Sequence, residues 1–238
     1  MKKSISCVLL LLSTYAFAQF GDINSVSGNS GISDRVANGL VNELGQLLRT
    51  KSPSVLDSDV DGSVFIDPQY RTAKIIEISG VWPVRYDAFR DEMEVKKENE
   101  VFALKKDPTF NELTFTDKNE KVILVEYNFD KERKTGYLFL VDRGSDYSLL
   151  KKETVIFKKG KEARTTLEIS SPNRFVKLSP TYFLKKEQSA EFIQLDKKAN
   201  NLIAAHPEKK DAIKSCWKKT NLDLTKESSV KDFAKCLQ

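Results

Sequence analysis

The sequence predicts a mainly β protein with α appendages: an antiparallel β-meander forming a sandwich or a curved, barrel-like sheet, flanked by an N-terminal helix and a C-terminal helical segment. Three observations predict it. Segments such as Arg71–Ser79 and Glu92–Lys96 have strand character, the second alternating apolar and polar with period two. Turn-forming residues recur at Glu98-Asn99, Asp107-Pro108, Asp117–Asn119, Asp130–Lys134, Arg143–Asp146, Lys159-Gly160 and Pro172-Asn173, roughly 9 to 16 residues apart. Parallel strands need long crossovers, so such short connections imply antiparallel neighbours. Helical periodicity returns only in the last fifty residues.

Taken in order, residues 1–18 (MKKSISCVLLLLSTYAFA) have the layout of a signal peptide: Lys2 and Lys3, an apolar run, and small residues at Ala16 and Ala18. Cleavage is expected before Gln19, giving an exported chain, periplasmic or peripheral to the outer membrane. The run is shorter than the ~20 residues that span a bilayer, so no transmembrane segment is expected in the mature chain. Cys7 precedes the run and cannot receive a lipid at the processing site. The formal net charge of +5 falls by the two charges of Lys2 and Lys3 on cleavage, too mild a surplus to imply nucleic acid.

Residues 19–61 read as a flexible lead, an amphipathic helix and an acidic linker. Ser33 caps the helix, and Val36, Leu40, Val41, Leu44, Leu47 and Leu48 fall on one stripe. With Gly39 and Gly45 inside it, such a helix must dock on its own β domain or on a partner, and Leu40 and Leu44 are candidate partner contacts. The linker runs from Thr50 to Asp61. The β domain, residues 62–189, should hold about eight to ten strands between Val64 and Leu184. Val122–Val125 and Tyr137–Val141 are apolar on both faces and must be covered on both sides. Residues 190–238 should form three helices, Ala190–Ala205, Glu208–Lys219 and Ser228–Leu237. Cys216 and Cys236, an even pair in an oxidising compartment, should form a disulfide stapling the last two.

Few residues propose chemistry. Asp57, Asp59 and Asp61 before Gly62 have the opening spacing of a calcium loop, but Pro68 stands where a bidentate Glu should close the shell, so a solvated linker fits better. No metal or other cofactor is expected. His206, the lone histidine, precedes Pro207 at a helix boundary, which suits a capping or loop role. Asp91, Glu92 and Glu94 read as solvated, with Glu92 and Glu94 on the wet face of a strand. No catalytic residue emerges. The denser basic run from Lys158 to Arg164 could meet a negatively charged partner, and Trp82, Tyr86 and Phe89 could form an aromatic wall for a partner or ligand, although core packing suits each of them.

The stretches GSVFIDPQY (Gly62–Tyr70), VRYDAFRDEMEVKKENEVFAL (Val84–Leu104) and the tail from Lys197 through KKTNLDLTKE (Lys218–Glu227) resemble an uncharacterised family of exported envelope proteins common in Bacteroidota. The resemblance implies envelope localisation and carries over no catalytic or metal-binding residue. The expected function is that of a non-enzymatic periplasmic accessory protein binding another envelope or outer-membrane protein, such as a translocon or assembly component. The alternative is an envelope protein that binds a small ligand, lipid or glycan.

Overall fold

The computed structural model describes residues 48–50, 60–163 and 169–238, all within one compact unit that spans Leu40–Gln238. The described strands are β1 (Leu48–Thr50), β2 (Val60–Asp61), β3 (Arg71–Ile75), β4 (Ile78–Asp87), β5 (Glu92–Lys97), β6 (Glu100–Leu104), β7 (Glu112–Phe115), β8 (Glu120–Phe129), β9 (Glu132–Arg143), β10 (Tyr147–Lys152), β11 (Val155–Lys158), β12 (Asn173–Lys177), β13 (Thr181–Lys186) and β14 (Phe192–Gln194). Three helices follow, α1 (Asn200–Ala205), α2 (Lys210–Thr220) and α3 (Glu227–Cys236). Eleven strands form one antiparallel sheet in the order β1-β6-β5-β4-β3-β7-β8-β9-β10-β13-β14, and β11-β12-β2 form a separate ribbon. The large sheet does not close into a barrel.

Its central strands are covered on both faces. Val122 and Leu124 of β8, with Tyr137 and Phe139 of β9, face one core together with Val84, Met93, Val95 and Phe115. On the opposite face Tyr127, Leu138, Leu150, Phe183 and Phe192 form a second core. There β14 returns toward β8, where Asp130 N–H donates to Gln194 Oε1 at 3.3 Å. The apolar character of Val122–Val125 and Tyr137–Val141 on both faces is thus satisfied by a core on each side. The helices build a third core on Tyr147, Leu149, Tyr182 and Leu184, through Leu202, Ile213, Val230 and Phe233. A disulfide joins Cys216 to Cys236, their Cα atoms 5.7 Å apart, as the cysteine count predicts. Among the described residues no helix is long and apolar enough to cross a membrane.

Several local expectations are corrected. Leu48, assigned by periodicity to the end of the N-terminal helix, lies in β1, paired with Leu104 and packed on the first core; tertiary burial overrides the helical stripe. Thr50 ends that strand, and Val60-Asp61, read as linker, pair with Asn173-Arg174. Leu40, Leu44, Asp57 and Asp59 lie outside the described residues, as does the leader. Arg71–Ser79 is two strands: Ile75 pairs with Ile78 across a hairpin in which Glu77 takes φ 61° without help from glycine or asparagine. Phe192–Gln194, expected to be helical, pairs with β13, and helix begins only at Asn200. Glu94, expected to be solvated, is fully buried: its Oε2 accepts from Arg85 Nε at 2.8 Å and from Tyr70 O–H at 3.4 Å. Alternation places Glu94 on one side of the strand but cannot reveal that this side is covered.

Candidate functional site

The small ribbon stands apart from the cores in the character of its surface. β11 and β12 pair with Val155 opposite Lys177, Phe157 opposite Phe175 and Lys158 opposite Arg174. The ribbon joins the main body through Val155 N–H to Ala88 O at 3.2 Å and, just beyond β2, through the bridge between Phe65 and Asp87. Gly62, which follows β2, has φ +87°, and a Cβ there would lie 2.7 Å from Phe175 O, so this position requires glycine. The DSDVDG stretch therefore ends in a backbone contact that seats the ribbon. Beyond the strands Lys161 and Ser171 form a further bridge, and Gly160 N–H donates to Asn173 Oδ1 at 2.8 Å.

Aromatic side chains lie along this ribbon. Phe175 is met edge-on by Phe157, with centroids 5.7 Å apart, and by Phe89 at 5.2 Å. Phe89 comes from the turn after β4. That turn is held by Asp87, a fully buried carboxylate whose Oδ1 accepts from Phe89 N–H and Arg90 N–H and whose Oδ2 pairs with Arg90 at 2.9 Å. Phe89 and Phe157 each remain 39% exposed, and Ile169 near the far end is 94% exposed. Around them Lys158, Lys159, Lys161 and Arg174 have no carboxylate partner among the described residues, whereas Arg71, Arg85, Arg90, Lys151 and Lys152 of the main body are all paired. Asp61 and Glu162 are the nearby acids in sequence and register, so cations predominate.

Trp82, Tyr86 and Phe89 do not form a wall. Strand geometry separates them: Phe89 packs against the ribbon, and Trp82 packs half-buried on the first core, its indole N–H donating to Ser79 O at 3.3 Å. Tyr86 points into the main body, its ring 5.1 Å from that of Phe139. Its hydroxyl donates to Asp91 Oδ1 at 2.8 Å and accepts from Lys152 Nζ at 2.6 Å. Lys152, only 7% exposed, also pairs with Asp91, and Lys106 reaches the other carboxylate oxygen at 3.0 Å. A Cβ on Gly136 would fall 2.1 Å from that oxygen, which explains a glycine in mid-strand. Burial pushes the Lys152 ammonium below its ordinary value, partly offset by Asp91; burial and then Asp91 push the Tyr86 phenol well above its own. Asp91, expected to be solvated, is thus the anchor of a buried network.

His206 links α1 to the following short helix, stacked edge-on against Tyr147 at 5.8 Å, in keeping with a loop role. Asp61 is exposed in β2, and among the described residues no group of three potential metal ligands comes together. Sequence reading missed Phe157, Phe175 and Lys152. The alternation of Phe157 with Lys158, and of Arg174 with Phe175, was visible; the register uniting them was not. Comparison with protein-family models, curated proteins and solved structures finds no match.

Proposed function

We propose that this chain is a non-enzymatic, exported accessory protein that binds another envelope protein through the β11–β12 ribbon. The observation that carries the reading is the Phe89–Phe175–Phe157 cluster, whose two outer rings are exposed beside cations that have no carboxylate partner among the described residues. Protein interfaces concentrate their binding energy in a few aromatic anchors within a polar rim, and unpaired rim charges steer association. The partner surface that complements this ribbon is an apolar socket ringed by carboxylates. Export, periplasmic residence and attachment to an outer-membrane component belong to the same proposal, supported by the leader-like residues 1–18 and by a disulfide of the kind that persists in oxidising compartments.

A photo-crosslinking side chain at Phe157 in intact cells tests it, with Val81, another exposed apolar position, as control. One acidic envelope protein captured from Phe157 and not from Val81 is the expected result. Capture equal at both positions, or binding of the purified protein to anionic vesicles instead of a protein, would contradict it.

A further inference from the structure

On the side of the large sheet that holds the first core lies a cavity of 190 Å³. Its floor is aromatic: Tyr86, Phe115 and Phe139 contribute rings from three different strands. Its rim carries charges of both signs, among them Arg71, Arg85 and Lys118 as cations and Glu120 and Glu153 as anions. The residues of Gly62–Tyr70 form one side, since Ile66, Asp67 and Gln69 also border it.

The walls are fixed in advance. Arg71 lies over Phe115 with its guanidinium carbon 4.1 Å from the ring centre, and it is held by Asp117 at 2.7 Å and Glu120 at 2.7 Å. Arg85 is clamped between Phe65 at 3.7 Å and Tyr70 at 4.4 Å, and its Nε is committed to Glu94. Tyr86 is anchored from behind by Lys152 and Asp91. Hydrogen-bonding capacity of both signs is left over. Arg71 retains guanidinium N–H groups outside these bonds, Arg85 retains others beyond its Nη1 bond to Pro68 O at 3.4 Å, the Lys118 ammonium has no carboxylate partner among the described residues, and Glu153 has one carboxylate oxygen beyond its 3.1 Å pair with Lys151.

We propose that this cavity binds a small zwitterion of amino-acid size with an aromatic or branched apolar side chain. The apolar body rests on Tyr86, Phe115 and Phe139. The ligand's carboxylate meets the Arg71, Arg85 and Lys118 side, and its ammonium meets Glu153. The cavity is smaller than the ~300–1,000 Å³ typical of drug-sized sites, so a lipid chain or an oligosaccharide does not fit. A preformed site with both charges rejects ligands that carry only one, because the opposite group would lose water without gaining a partner. This site shares no residue with the ribbon, and either can fail without the other.

Three probes with one ring and different charges test it: phenylalanine, 3-phenylpropionate and phenethylamine, titrated into the full-length mature protein by NMR and calorimetry. Phenylalanine should bind saturably, shifting resonances of Tyr86, Phe115 and Phe139, and about tenfold more tightly than either single-charge analogue. Glu153→Gln should weaken phenylalanine by about tenfold while leaving 3-phenylpropionate unchanged. Lys118→Ala, an exposed change that leaves the fold intact, should weaken both phenylalanine and 3-phenylpropionate. Equal binding of all three probes, shifts scattered away from the three rings, or no saturable shift with any probe would overturn the assignment.

Discussion

The main sheet and the small ribbon use the same residue types in opposite ways. In the main sheet the least exposed cations are sunk into ion pairs and aromatic stacks: Arg85 on Glu94, Arg71 on Asp117 and Glu120, Lys152 on Asp91. On the ribbon Lys158, Lys159, Lys161 and Arg174 reach solvent with no carboxylate partner among the described residues, beside phenylalanines that are only partly covered. A buried charge is destabilising unless matched, so the main-sheet groups are bound to the fold. An exposed unpaired charge contributes little to stability and is free to act on something else. The contrast separates scaffold from recognition surface within a single chain.

The largest effect expected from breaking the main-sheet side is at Asp91. Asp91→Ala leaves Lys152 buried without its carboxylate and should cost about 3–5 kcal/mol by denaturant unfolding; adding Lys152→Met should recover a substantial part of it. Replacing Cys216 and Cys236 by serine opens a short loop under the helical core and should cost about 3 kcal/mol, measured the same way. Gly62→Ala forces a side chain onto Phe175 O at positive φ, and a loss of about 1–3 kcal/mol is expected, concentrated in ribbon amide exchange.

Alkaline pH should sharpen the comparison. All six tyrosines from Tyr70 onward have phenols raised above the ordinary value of 10.0, with burial as the leading cause. Above pH 10.0 the native chain holds protons that the unfolded chain has lost, so their contribution to stability is complete below that pH and declines as pH rises through the window. Lys152, whose value is lowered, acts in the opposite sense below 10.5, and six phenols outweigh one amine. The tyrosinate band should therefore appear together with unfolding, and appearance in a folded protein near pH 10.0 would contradict the buried network. The smallest stability effect belongs to the ribbon: Lys158→Glu with Arg174→Glu should shift unfolding by no more than about 0.5 kcal/mol.

What the sequence revealed follows the same division. Local pattern sufficed for elements that answer to it: the two-sided apolar runs in β8 and β9, the helices around Ile213 and Phe233, and the cysteine pair. It failed where long-range pairing decides. Glu94 looks solvated because alternation shows sides and not depth, and only Arg85, Tyr70 and the folded sheet bury it. Leu48 looks helical until β6 offers an edge. Trp82, Tyr86 and Phe89 are near in sequence yet diverge because strand, core and turn carry them apart, while Phe89 meets Phe175 from a strand far along the chain. The DSDVDG segment, suggestive of calcium, supplies through Gly62 the close backbone approach on which the ribbon rests.

The most direct test of the division between scaffold and recognition surface measures both properties in one protein. The Lys158→Glu, Arg174→Glu variant, carrying the photo-crosslinker at Phe157, should melt with the parent while its partner adduct in intact cells disappears. An adduct that persists at parental yield, or an adduct lost only because the variant unfolds, would contradict the account.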